Sequence, residues 1–261
     1  MKIIDSHAHL EEVKDLEGAL KRAKQTGVAA VVAVGVDIKS SEKALEICRV
    51  YKDPGVYPII YPSLGIHPKD LKLHELPSVF KLIEENIDNI VAVGEIGLDY
   101  WYKEARKDGP GRRLQKEIFV KQLDIADRYN KPVIIHSRGA WKDCFEIMVQ
   151  RRTKRGVFHW YSGPGDVLED VLKRGYFISV TPSCEYSREH QEAVKKTPLE
   201  NILIETDSPV VYKPQTGKYE SEPKDVLRAL KAVSEIKDIE EARVARKSTE
   251  NAMELFGFKP S

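Results

Sequence analysis

The chain has 261 residues, 41% hydrophobic and 32% charged, which supplies apolar material for a large core and excludes a disordered or collagen-like chain. Lys+Arg 42 against Asp+Glu 41 leaves a net charge of +1, so bulk charge argues for neither nucleic acid, membrane nor acidic partner, and any affinity for an anion has to be local. Cys48, Cys144 and Cys184 are widely spaced with no CxxC pair, and an acid and a histidine stand at Asp5 and His7 where a leader needs an apolar run; free thiols in a cytoplasmic protein with no membrane span are therefore expected.

Short β-branched runs alternate with longer amphipathic stretches from one end to the other. Strands are predicted over 3–7, 29–35, 57–65, 90–95, 133–136, 157–159, 177–180 and 202–205, each bounded by polar or turn residues. Ile118, Gln122, Ile125 and Tyr129 recur at helical spacing and predict a helix over 115–129, and a last helix is predicted over about 239–255. Stretches 102–113 and 210–223 read as polar, turn-rich loops. Strand–helix alternation without hairpin signals predicts an α/β chain with a parallel sheet. Eight such pairs predict a (β/α)8 TIM barrel, a single domain over 1–261 with an extra C-terminal helix; an open doubly wound sheet is the rival.

The polar residues at the strand ends carry the chemistry. His7 and His9 flank one residue at the end of the first strand, so they share a face and can grip one cation. Glu95 ends the fourth strand, His136 the fifth and His159 the sixth, while Asp207 follows the eighth. Each alone has a plain explanation, a helix cap or a buried imidazole satisfied by a carbonyl. Together they are gathered at the carboxyl ends, where barrels and open parallel sheets collect functional side chains. Imidazoles and carboxylates without thiolates suit two divalent ions, with Glu95 as the bridge, and two such ions activate water for hydrolysis. No GxxxxGK[ST] loop, GxGxxG fingerprint or GxSxG elbow occurs, which removes the usual support for nucleotide-triphosphate, dinucleotide and serine-hydrolase chemistry.

Six segments extend this pattern in order: Asp5-Ser6-His7-Ala8-His9-Leu10, Gly65-Ile66-His67-Pro68, Gly94-Glu95-Ile96-Gly97-Leu98-Asp99-Tyr100, His136-Ser137-Arg138, His159-Trp160-Tyr161-Ser162-Gly163 and Glu205-Thr206-Asp207-Ser208-Pro209. With them the chain resembles the TatD family of metal-dependent deoxyribonucleases over nearly its whole length. The resemblance implies a TIM barrel holding two divalent ions, Zn, Mg or Mn. His7, His9, Glu95 and Asp207 would hold one, and Glu95, His136 and His159 the other. It implies cleavage of DNA phosphodiester bonds, often exonucleolytic, with Asp207 also the base that takes a proton from water. Two departures stand out: the family's Cys-Phe after the sixth-strand histidine is Trp160-Tyr161, and its Arg-Asn-Glu-Pro stretch is reduced to Ser221-Glu222-Pro223. The missing arginine leaves strand or terminus recognition open and the metal ligands untouched.

Further residues have paired readings. His67 and Arg138 are candidates for contact with substrate phosphate, against packing beside Pro68 and capping of a loop. Asp5 and Glu205 share strand faces with His9 and Asp207 and would accept a hydrogen bond from a ligand, or serve buried structural roles. His74 and His190 receive no role. Lys103, Arg106, Lys107, Arg112 and Arg113 overhang the site, and with Tyr100, Trp101, Trp160 and Tyr161 they form a candidate track for single-stranded DNA, against ordinary loop charge. The basic run 151–155 precedes the sixth strand and belongs to the opposite face. DNA is thus the expected partner, with no obligate protein partner evident. The alternatives are hydrolysis of another ester or amide on the same site, such as the ester of an aminoacyl-tRNA, and a metal-stabilised binding protein without turnover.

Overall fold

The structure is a computed structural model that describes residues 2–69, 71–107 and 109–258. Asp108 of the predicted loop, and both ends of the predicted 1–261 domain, lie outside the described residues. Strands and helices alternate as β1 (Ile3–Ala8), α1 (Leu16–Gln25), β2 (Val28–Gly35), α2 (Ile38–Val50), β3 (Ile59–Leu64), α3 (Leu76–Glu85), β4 (Ala92–Gly97), α4 (Pro110–Arg128), β5 (Val133–His136), α5 (Trp141–Gln150), β6 (Gly156–Phe158), α6 (Gly165–Lys173), β7 (Phe177–Val180), α7 (Arg188–Lys196) and β8 (Ile202–Ile204). The chain continues through β9 (Val211–Tyr212), β10 (Tyr219–Glu220), α8 (Val226–Lys237) and α9 (Glu241–Phe256).

β1 to β8 lie side by side in sequence order and every pairing is parallel. A parallel bridge between Ala8 and Ser208 joins the last edge to the first, reinforced by His9 N–H donating to Ser208 O at 2.8 Å and Asp207 N–H to His7 O at 2.9 Å. The predicted barrel and its extra helix are thus present.

Alternation along the strands sorts the core into two layers. Ile4, Ala30, Val32, Val34, Ala92, Ile134, Val157 and Leu203 cluster together without helices α1 to α8, whereas Ile3, Val31 and Ala33 pack among helix residues such as Leu20, Ala44 and Ile47. The first set is therefore the barrel interior, filled by branched side chains as such interiors are. Ala252, Leu255, Phe256 and Phe258 belong to the same cluster, and Phe258 stacks on Tyr61 at 3.9 Å. α9 therefore plugs the amino-terminal mouth, and chemistry is left to the opposite end.

Three local expectations are corrected. α4 starts at Pro110, so residues 110–113 of the predicted loop are helical; proline at the first helical position fits because its missing N–H has no intrahelical acceptor there. Tyr129 lies beyond α4 and is exposed, while Gln122 is buried because its amide exchanges hydrogen bonds with the Ile66 backbone. The stretch 210–223 contains the antiparallel hairpin β9–β10, whose two-residue strands are too short to show a period of two. Among the described residues no helix is long and apolar enough to cross a membrane, and all three cysteines are free.

Candidate metal centre

The carboxyl ends of β1, β4, β5, β6 and β8 bring His7, His9, Glu95, His136, His159 and Asp207 into one buried cluster. His7 lies in β1 and Glu95 in β4, His136 is the last residue of β5, and His9 and His159 follow β1 and β6 directly. Close approach of β4 to β5 depends on Gly97, with φ +141°, where a Cβ would collide with the carbonyl oxygen of His136. Asp207 has φ +49°, a left-handed conformation that costs a non-glycine residue roughly 1–2 kcal/mol. Its neighbours hold it there. Fully buried Asp5 accepts from Thr206 N at 2.9 Å and Thr206 Oγ1 at 2.6 Å, and Tyr212 Oη donates to Thr206 O at 2.7 Å. Asp5 thus fixes the backbone that presents Asp207 and makes no side-chain bond to His9.

Four donors face one point. His7 Nε2 lies 3.3 Å from His9 Nε2, 3.5 Å from Asp207 Oδ1 and 3.5 Å from Glu95 Oε2; His9 Nε2 lies 3.3 Å from Asp207 Oδ1 and 3.7 Å from Glu95 Oε2. Ligands about 2.0–2.2 Å from a tetrahedral cation stand roughly 3.3–3.6 Å apart, so these spacings fit a cation. Asp207 Oδ1 is also buried without a hydrogen-bond partner among the described residues, and an orphaned buried acceptor is what a ligand ion satisfies.

The other oxygen of Glu95 serves a second set. Oε1 lies 2.6 Å from His136 Nδ1, 2.9 Å from His159 Nε2 and 3.6 Å from His67 Nε2. The far nitrogens of two of these imidazoles are backed by carboxylates: His136 Nε2 is 2.8 Å from Asp99 Oδ2, and His159 Nδ1 is 3.3 Å from Glu205 Oε1. A carboxylate behind an imidazole fixes its tautomer and raises its basicity. Glu205 is itself held by Trp160 N–H at 2.9 Å and Ser179 Oγ at 2.6 Å.

His67 differs. Its Nδ1 accepts the Lys69 backbone N–H at 3.0 Å, so in the neutral ring the proton sits on Nε2, which faces the site as a donor and has no lone pair for a cation. Burial, with His136 alongside, pulls its pKa down to about 3 and keeps it neutral.

The remaining electrostatics follow from carboxylates and imidazoles sharing a dry pocket. Burial alone would raise Glu95, but His159 and His136 hold it well below its ordinary value. Burial likewise opposes ionisation of Asp207, and the facing His9, His7 and His159 bring it below the usual carboxylate range. Burial disfavours the His9 imidazolium, yet Asp207, Glu95 and Glu11 push its pKa up to about 10. A divalent cation taking its place among these donors displaces such protons.

Around this centre the mouth is only partly as the sequence suggests. Arg138 is half exposed; its Nε donates to Asp99 Oδ2 at 3.0 Å and its guanidinium lies over Trp101 and Tyr102. Tyr100 and Tyr161 cannot stack on a base: both are buried, with their hydroxyls donated to Asp143 and Pro164 O. Arg112 is tied to the backbone of Ala105 and Arg106 and lies over Tyr100. Trp101, at 61% exposure, and Lys103, Arg106, Lys107 and Arg113 remain exposed. A cavity of about 280 Å³ opens beside His67, with Lys69 and Lys72 on its wall. Glu222, in the shortened motif, is paired by Arg22 and Lys224, each at 2.6 Å. His190, given no role by the sequence, is buried with its Nδ1 on Ser183 Oγ at 2.7 Å, and His74 is exposed. The basic run 151–155 lies at the plugged end, where Arg155 donates to Leu255 O.

The chain is similar to proteins of one family along nearly its whole length. A family model described as TatD related DNase matches residues 4–257. The human deoxyribonuclease TATDN3 is 29% identical over 97% of this chain and 94% of its own length. A metal-dependent hydrolase of Methanocaldococcus jannaschii, uncharacterised by its description, is 32% identical over 98% and 97% respectively. The crystal structure of the Escherichia coli TatD homologue YJJV superposes with a TM-score of 0.86 at 26% identity, covering 98% of each chain.

Proposed function

The chain belongs to the family of TatD-related DNases, metal-dependent hydrolases of ester bonds, and we propose that it cleaves DNA phosphodiester bonds, exonucleolytically, at a centre of two divalent cations. The reading rests most heavily on one observation: the two oxygens of Glu95 face separate sets of imidazole nitrogens, the arrangement a bridging carboxylate requires. His7, His9, Glu95 and Asp207 would hold one ion, and Glu95, His136 and His159 the other. Donors of this kind accept Zn, Mg or Mn. When bound, such a pair polarises the phosphoryl oxygen and supplies hydroxide near neutral pH.

The chain's own groups do the rest. Asp207, kept ionised, accepts the proton of the attacking water at the carboxylate oxygen left free by ligation. His67, neutral with its proton on Nε2, donates a hydrogen bond to a phosphate oxygen without competing for a cation. Arg138 grips the phosphate beside it. Trp101 and the exposed Lys103, Arg106, Lys107 and Arg113 supply stacking and counter-charge along a single strand. We further read residues 1–261 as one catalytic domain that needs no obligate protein partner, and its free thiols suit the reducing cytoplasm. The test is incubation of end-labelled single- and double-stranded DNA with Mg²⁺, Mn²⁺ or Zn²⁺. A ladder shortening from one end is expected. No cleavage with any of the three ions refutes the proposal, and internal cuts refute its exonucleolytic part.

A further inference from the structure

Asp99 is outside the proposed ligand set, yet it touches two of the residues in the proposal. It is fully buried, and its Oδ2 lies 2.8 Å from His136 Nε2 and 3.0 Å from Arg138 Nε. Oδ1 accepts the Trp101 backbone N–H at 2.8 Å. The backbone beneath is clamped by Gln115, whose Oε1 accepts Asp99 N–H at 3.0 Å while its Nε2 donates to Asp99 O at 3.1 Å and Pro68 O at 3.2 Å. α4 therefore fixes the carboxylate, and the carboxylate has little freedom to follow either partner.

We propose that Asp99 is a positioning residue that couples the cation held by Glu95, His136 and His159 to the arginine that grips the substrate phosphate. One oxygen receives both Nε2–H of His136 and Nε–H of Arg138. The first bond holds the His136 proton on Nε2 and turns Nδ1 toward Glu95. The second sets the guanidinium over Trp101 and Tyr102. Because Arg138 and His136 draw on the same negative charge, each weakens the other's hold on it. A phosphate that pulls the guanidinium away leaves more of that charge to His136, which makes Nδ1 a better ligand. Anion binding and cation binding are then linked, and the linkage is reciprocal.

The inference rests on the two-ion reading, and the experiment separates the two. Mn²⁺ alone is titrated by equilibrium dialysis, with no DNA present, into the wild-type protein, Asp99→Asn, Arg138→Ala and the double variant. The wild type is expected to take up two equivalents. Asp99→Asn lowers the affinity for one of them 10- to 100-fold, on the order found for residues behind metal-bound histidines, and leaves the other unchanged. Arg138→Ala raises the affinity of the same equivalent several-fold, an effect that a purely structural role for Asp99 does not produce. In the Asp99→Asn background Arg138→Ala changes nothing, since the shared negative charge is gone. Arg138 is half exposed, so its variant carries the test if Asp99→Asn does not fold. Two unaltered equivalents in Asp99→Asn, or no rise in Arg138→Ala, overturn the coupling and leave the two-ion reading intact. Fewer than two equivalents in the wild type overturn both.

Discussion

Glu95→Gln removes one charge and changes almost no volume at a position that is 2% exposed. In the wild type Oε2 faces His7 and His9 at 3.5 and 3.7 Å, and Oε1 faces His136 and His159 at 2.6 and 2.9 Å. Glutamine offers one acceptor oxygen and one NH₂ donor, so whichever way it turns, one set loses its carboxylate ligand and has an N–H pointed at the ring lone pairs where a cation would sit. Removing one partner of a buried, paired charge costs about 3–5 kcal/mol. At about 1.4 kcal/mol per factor of ten, that is a loss of some three orders of magnitude. The expected outcome is a fall in DNA cleavage of about a thousandfold, with at least one equivalent of metal lost. Cleavage of an end-labelled oligonucleotide in single-turnover mode, beside metal content by mass spectrometry and a circular-dichroism control for folding, reads both. Folded Glu95→Gln that retains two equivalents and cleaves at the wild-type rate refutes the bridging role.

Gly97→Ala drives a methyl group into the His136 carbonyl at a backbone φ of +141°; a stability loss of about 2–4 kcal/mol is expected, with weakened metal binding, and urea unfolding within 0.5 kcal/mol of wild type contradicts it. Burial lowers the pKa of His190 from 6.5 to about 4, so the unfolded chain takes up that proton first and stability falls as pH drops from about 6.5 to about 4. The contribution reaches roughly 3 kcal/mol. His190→Gln should flatten this part of the stability–pH curve relative to wild type, and an unchanged slope in urea titrations at pH 7 and pH 4.5 argues against it. Replacing Lys103 and Lys107 together by alanine should weaken binding of a single-stranded oligonucleotide and reduce the slope of log K against log salt by about 1.4, at roughly 0.7 per phosphate contact. An unchanged slope assigns both lysines to ordinary loop charge.

The fold was legible because each parallel strand is a short apolar run and each crossover an amphipathic stretch, so chain order and spatial order coincide in β1 to β8. The cluster was legible for a related reason: in such a barrel all strand ends point the same way, and polar residues at those ends meet without any knowledge of register. Pairings that depend on register were not legible. Glu205 reads as a neighbour of Asp207, yet it serves His159, 46 positions away; Asp99 was visible in its motif, but its two partners on the β5 end were not. Tyr100 and Tyr161 look like stacking surfaces in a rim motif, whereas both rings are buried and their hydroxyls are donated to Asp143 and Pro164 O, which sequence cannot reveal. In β1 the register is irregular between Asp5 and Ala8, so simple alternation does not describe the approach to His7 and His9, although the two rings converge.

Anomalous diffraction from crystals grown with Mn²⁺ tests the centre most directly. The account predicts two maxima flanking the Glu95 carboxylate, one among His7, His9 and Asp207 and one between His136 and His159, with none on His67 Nε2. A single maximum, or one ligated by His67, contradicts it.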